Sequence, residues 1–149
     1  MKILIVAVSL ISALTSCGSK PVTSEPANVE IIGEWECSEF PRGFVAKAGS
    51  ETNRPTSIIL IQNDGSFSAR SFPQREPYRY EDFDGGWELA DPSITPSGSW
   101  SIEFQGNHLQ CRRDGSELVL RYTIDGMDEY SVEYTKKQNK LATPRKPSD

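Results

Sequence analysis

Few side chains in this 149-residue sequence are equipped to do chemistry. His108 is the only histidine, and the strand registers inferred below put it in a turn near Arg121. A catalytic triad or a histidine-built metal site needs more than that. Carboxylates are plentiful, but none follows the spacing of an EF-hand calcium loop. Glu81, Asp82 and Asp84 beside Gly85-Gly86 are a weak candidate for holding a cation, outweighed by the plainer reading of a solvated acidic loop. No glycine-rich phosphate loop joins a strand to a helix, and nothing selects a carboxylate pair for glycoside hydrolysis. The expectation is a protein that is not an enzyme, with no catalytic residue, no metal and no cofactor. The remaining chemistry belongs to three cysteines, Cys17, Cys37 and Cys111.

Cys17 is placed by what precedes it. Met1-Lys2 supplies one positive charge, and residues 3–14 are apolar except for Ser9 and Ser12. A helix over that run rises about 18 Å, short of a hydrocarbon core of about 30 Å, so it reads as a signal-peptide core and not a spanning helix. Leu14-Thr15-Ser16-Cys17 resembles the lipobox of bacterial lipoproteins. The resemblance implies cleavage before Cys17, a diacylglycerol on its sulfur and a further acyl chain, such as palmitate, on its amine. At roughly 0.8 kcal/mol per buried methylene, three chains anchor a protein permanently. Gly18 in place of an Asp points to the outer membrane, with the body facing the periplasm. The alternative is an ordinary signal peptide with an incidental cysteine. Under the lipoprotein reading, Cys37 and Cys111 are an even pair in an oxidising compartment and predict a disulfide; two separately buried thiols are the alternative.

The mature chain is long enough for one domain. Charge is unevenly spread: residues 17–135 carry 10 Lys/Arg against 20 Asp/Glu, while residues 136–149 carry 5 Lys/Arg and one Asp. An acidic body argues against a nucleic-acid groove, whose affinity rests on Lys and Arg against phosphates. The basic tail, residues 138–149, contains Pro144 and Pro147 and reads as disordered, with anionic lipid as a conceivable contact. Residues 17–28, with Gly18 and two prolines, read as a flexible tether.

Residues 29–137 read as strands. Residues 29–40 alternate, with Val29, Ile31, Gly33, Trp35 and Cys37 on one face. Residues 41–55 read as a loop with one helical turn near Val45. Ile58 to Ile61 and Phe67 to Ala69 flank Asn63-Asp64-Gly65, a hairpin pairing Ile61 with Phe67 and Ile59 with Ala69. Residues 73–98 are irregular but hold Tyr78, Tyr80, Phe83 and Trp87. Residues 99–134 form a four-stranded meander. Its predicted pairs are Phe104–Leu109, Ile102–Cys111, Cys111–Leu118, Leu109–Leu120, Ile124–Tyr130 and Tyr122–Val132, with Arg112 opposite Glu117 and Arg121 opposite Glu133 on the outside. No long amphipathic helix is evident. The expected fold is all-β, a small antiparallel up-and-down barrel of about seven or eight strands, preceded by the signal peptide (1–16) and the tether.

Gly33-Glu34-Trp35 resembles the Gly-x-Trp signature of lipocalins. Asp64-Gly65-Ser66-Phe67, Gly98-Ser99-Trp100-Ser101-Ile102 and the Tyr-rich end from Tyr130 to Lys137 resemble the lipocalin-like domains of small bacterial lipoproteins. The resemblance implies a barrel plugged at one end by Trp35 and a cavity for a small apolar ligand. Against it stand Ile31, where the family has an Asn, and the lack of a Thr-Asp-Tyr loop motif. Two readings follow. In the first, an envelope-anchored carrier binds an apolar ligand, with Tyr78, Tyr80, Phe83 and Trp87 at the mouth and Trp35 and Trp100 lining the interior. In the second, the barrel is filled and the protein is a protein-binding module of the envelope, an inhibitor, immunity or assembly factor.

Overall fold

The structure, a computed structural model, describes residues 18–75, 77–124 and 130–138. The expected signal peptide (residues 1–16), Cys17 and the expected basic tail after Gln138 lie outside the described residues. Ten strands form one antiparallel sheet: β1 (Lys20–Pro21), β2 (Gly33–Cys37), β3 (Ser57–Ile61), β4 (Ser66–Gln74), β5 (Arg79–Gly86), β6 (Glu88–Ala90), β7 (Ser101–Phe104), β8 (Asn107–Asp114), β9 (Glu117–Thr123) and β10 (Ser131–Lys136). Among the described residues there are also two short helices, α1 (Asn28–Ile31) and α2 (Arg42–Lys47).

Strands β2 to β10 form a nearly closed up-and-down barrel, in the order β5-β4-β3-β2-β10-β9-β8-β7-β6. Only Trp87 separates β5 from β6, so the two are one chain run that changes partner, from β4 to β7, at that residue. Counted that way the barrel has eight staves, in line with the expected number. Antiparallel pairing of β10 with β2 joins the first and last staves and removes the exposed edges that an open sheet would leave. Alternate residues point inward, and the fully buried set includes Trp35, Ile59, Ile61, Phe67, Phe72, Phe104, Leu109, Leu120 and Tyr134.

Two hairpins have the predicted registers. Ile61 faces Phe67 and Ile59 faces Ala69; Tyr122 faces Val132 and Arg121 faces Glu133. Two others are shifted by two residues. Ile102 faces Leu109, not Cys111, and Cys111 faces Leu120, not Leu118. The cause lies in the turns: the first hairpin closes with two residues, Gln105-Gly106, both at positive φ, and not with the four that a Phe104–Leu109 pair implies, while the second keeps a two-residue turn but places it at Gly115-Ser116, one residue later than an Arg112–Glu117 pair implies. A shift of two leaves every inward side chain inward, which is why the apolar pattern alone could not detect it. It does remove the predicted Arg112–Glu117 pair; Arg112 faces Val119.

The predicted first strand is divided. Residues 28–31 form a helical turn, with the Ala27 N–H donated to the Glu30 carboxylate at 2.9 Å, and the strand begins only at Gly33. The predicted tether is also corrected. Lys20–Pro21 pairs with Arg113 and Arg112 of β8 beyond the point where β7 stops. Val22 is buried, donates its N–H to Cys111 O at 3.0 Å and accepts from Trp100 N at 3.1 Å. Proline is tolerated there because the segment is an edge strand.

Candidate functional site

The barrel has two ends of different construction. At the first, β2 begins, β10 finishes, and the turns 62–65 and 115–116 lie. Trp35 plugs it, fully buried, with Nε1–H donated to Ile31 O of α1 at 2.8 Å. Lys136 crosses over the plug: its Nζ lies 5.7 Å from the Trp35 ring centroid and donates to Val29 O and Glu30 O at 2.8 and 3.0 Å. Partial burial lowers its pKa from the ordinary lysine value. Gly33 makes this crossing possible. Its φ is +141°, and a Cβ there would sit 2.7 Å from Lys136 Cε. The Gly-x-Trp spacing therefore has a local physical reason. A groove of about 380 Å³ opens beside the plug, lined by Arg113, Leu118, Lys136 and Lys137 among others.

The second end is covered by α2 and the loops around it. Phe44 and Val45 of α2 are buried. Phe44 meets Tyr78 and Tyr80 edge-on at 6.0 and 5.3 Å, and Phe40 meets Tyr80 at 5.3 Å. Lys47 Nζ lies 4.7 Å from the centroid of Tyr78 and 4.9 Å from that of Tyr130; a hydrogen bond with Tyr130, ahead of the contact with Tyr78, raises its pKa. Gly43 is needed for close approach, since a Cβ would stand 2.8 Å from the Tyr130 hydroxyl.

Between the ends an aromatic cluster occupies the interior. Phe72 lies 5.5 Å from Phe83, 5.4 Å from Phe104, 4.6 Å from Tyr122 and 6.2 Å from Tyr134, centroid to centroid. Phe67 stacks on Phe104 at 4.1 Å. The Tyr134 and Ser57 hydroxyls share a buried hydrogen bond of 2.8 Å. Phe72 was not singled out from the sequence because a bulge breaks the alternation. Ser71 sits at φ 51°, its N–H bonded to Asp82 Oδ1 at 2.7 Å, and the register shifts between Ala69 and Phe72.

The four aromatics assigned to a mouth are thus divided among three places. Tyr78 and Tyr80 are at the α2 end. Phe83 stands in the interior, 6.0 Å from Phe67 and 5.6 Å from Phe104. Trp87 is pinned near the Trp35 end, with Nε1–H on Gln62 O and N–H on Gly65 O. Trp100 does not line the interior; it is half-buried and donates Nε1–H to Thr23 O at 3.3 Å, clamping the N-terminal segment. The helical turn expected near Val45 is present as α2, but α2, Phe40 and Tyr130 were not picked out as site residues, because a six-residue helix between loops shows no periodicity that would reveal which residues it covers.

The predicted disulfide is corrected: Cys37 and Cys111 are free, buried thiols. The registers place Cys37, Tyr134, Leu120 and Cys111 in one row across four strands. Three strand spacings of about 4.8 Å separate the cysteines by about 14 Å along the sheet, against the roughly 4.4–6.8 Å that a disulfide spans between Cα atoms. Burial pushes Cys37 up to about 11 and Cys111 up to about 12, so both stay protonated, the reverse of what a nucleophilic thiol needs. Tyr122 is likewise pushed up to about 12, and Tyr134 well above its ordinary value.

A scan against protein-family models found no match, and neither the curated proteins nor the solved structures gave one.

Among the described residues no group of three His, Cys, Asp or Glu is placed to hold a metal ion. The acidic cluster is engaged within the protein: Asp84 with Arg70 at 3.0 Å, Glu81 with Arg79 at 3.2 Å, and Asp82 with Ser71. His108 lies in β8 opposite Glu103, not in a turn, and its Nδ1 is buried without a hydrogen-bond partner.

Proposed function

We propose that this protein is an envelope lipoprotein, anchored through Cys17, whose lipocalin-like barrel binds another envelope protein with its outer surface. The observation that carries this reading is the aromatic cluster in the interior. Phe72 is ringed by four aromatic side chains in the space that a carried ligand would occupy. A binding role and not a catalytic one fits the raised pKa values of both cysteines and both buried tyrosines. The surface we assign to the partner is the α2 end, where Tyr78, Tyr80 and Tyr130 are each half-exposed. Tyrosines held by neighbouring rings bind at low entropic cost, and they are enriched among the residues that dominate interface energetics.

The second reading, a carrier for a small apolar ligand, draws on the cap itself. Helix α2 is short, is joined by loops on both sides, and closes the end opposite the Trp35 plug. A photo-crosslinking residue placed at the exposed position Glu51, beside α2, separates the two in living cells. The module reading predicts a discrete protein adduct from position 51 and none from an equivalent probe at Glu88. Adducts to lipid alone, or none, would overturn it.

A further inference from the structure

If Cys17 carries lipid, its distance from the folded body decides how the barrel stands on the membrane. Residue 19 is already fixed. Arg112 Nε donates to Ser19 Oγ at 2.8 Å, the Arg112 guanidinium also donates to Ser19 O, and the Ser19 hydroxyl donates to the Glu133 carboxylate. Lys20–Pro21 is in the sheet and Val22 is in the core. Only Gly18 stands between Cys17 and that fixed point, a leash of at most about 8 Å from Cα to Cα. A tether of twelve free residues would leave orientation open; a leash of one residue does not.

The leash leaves the outer wall towards the Trp35 end, where Lys20 pairs with Arg113 next to the 115–116 turn and Ser19 bonds Arg112 and Glu133. We infer that the Trp35 end of the barrel rests on the headgroups of the bilayer and the α2 end faces away from it. This inference depends on the anchoring proposed above and adds the docking surface. Two further features of that end suit a headgroup layer. One of its segments, α1, carries a strongly exposed apolar side chain, Val29, at 79 %. Its rim carries the exposed Lys20 together with Lys137, which is paired with Glu34 at 2.7 Å, and Lys136, which is held over Trp35. Interfacial binding combines shallow apolar insertion with cations near anionic lipid, each adding a modest increment to an anchor already in place.

The test uses the mature, acylated full chain in nanodiscs of phosphatidylethanolamine and phosphatidylglycerol. A nitroxide is attached either at Val29→Cys or at Thr52→Cys, an exposed position just after α2. The native thiols are buried and protonated at neutral pH, so the label goes to the introduced cysteine. Relaxation by a lipid-anchored nickel chelate should be several-fold greater at position 29 than at position 52. Lengthening the leash with a glycine-serine insertion between Gly18 and Ser19 should bring the two values together. Equal relaxation in the parent chain, or stronger relaxation at position 52, would overturn the inference while leaving the anchor standing. A difference that survives the insertion would overturn the leash as its cause. An intact mass without acyl chains on Cys17 would overturn both the anchor and the orientation.

Discussion

The two ends of the barrel are closed in different ways. At one, the plug is part of the sheet: Trp35 belongs to β2, its indole bonds to α1, and Lys136 of the neighbouring strand holds it down. At the other, the cover is a six-residue helix between loops, held by ring contacts and a lysine over two tyrosines. Sheet hydrogen bonds open only when the barrel unfolds, whereas a cap held by side chains can open by itself. The α2 end is therefore the end where shape can change, and the Trp35 end is the one that must not.

Substitutions at the two ends should make that contrast measurable. The largest effect is expected from Trp35→Ala, a loss of about 3–5 kcal/mol in chemical denaturation, because a fully buried indole leaves a cavity that strands cannot close. Phe44→Ala removes an equally buried ring, yet it should cost about 3 kcal/mol or less. Its signature would be faster amide exchange confined to residues 40–50 and 78–80. Equal losses with global exchange in both variants would abolish the distinction between the ends.

High pH probes what lies between them. The Cys37 and Cys111 thiols have folded pKa values of about 11 and about 12, raised by burial above an ordinary value of 9.0. Each group is protonated in the folded state where the unfolded chain would release its proton. Their contribution to stability is complete below pH 9 and is lost as pH rises towards 11 and 12. Tyr122 adds to the loss above pH 10. Denaturation midpoints measured from pH 8 to 11 should fall, and Cys37→Ala with Cys111→Ala should flatten the slope. Smaller again is Tyr134→Phe, which leaves Ser57 Oγ without its buried partner at about 1–2 kcal/mol. The smallest is Lys47→Gln at the α2 end, detectable as faster exchange near Tyr78 and Tyr130 before any change in midpoint.

The same contrast explains what could be read in the sequence. Trp35 in the core, the Ile61–Phe67 register and the Arg121–Glu133 pairing were legible because alternation, an Asn-Asp-Gly turn and opposite charges all pointed the same way. The registers of β8 with β7 and β9 were missed by two because the pattern repeats every two residues, and only turn geometry distinguishes them. Phe72 was hidden by a bulge whose cause, the Ser71–Asp82 hydrogen bond, joins two separate strands. The N-terminal segment was read as a tether because Val22 and Pro26 are the only buried side chains among its described residues, and the backbone bonds that hold it leave no mark on composition. Of the four aromatics grouped at a mouth, Tyr78 and Tyr80 do lie together at the α2 end, whereas Phe83 and Trp87 were placed with them on composition alone.

The central claim is that the interior is packed with the protein's own side chains and carries nothing. The direct measurement is native mass spectrometry of the chain from Gly18 to Asp149, expressed in an envelope-bearing host, gently purified and weighed before and after organic extraction. Starting at Gly18 keeps Val22 and β1 in place. The account predicts the mass of the bare chain in both samples. A mass excess that disappears on extraction would contradict it and make this barrel a carrier.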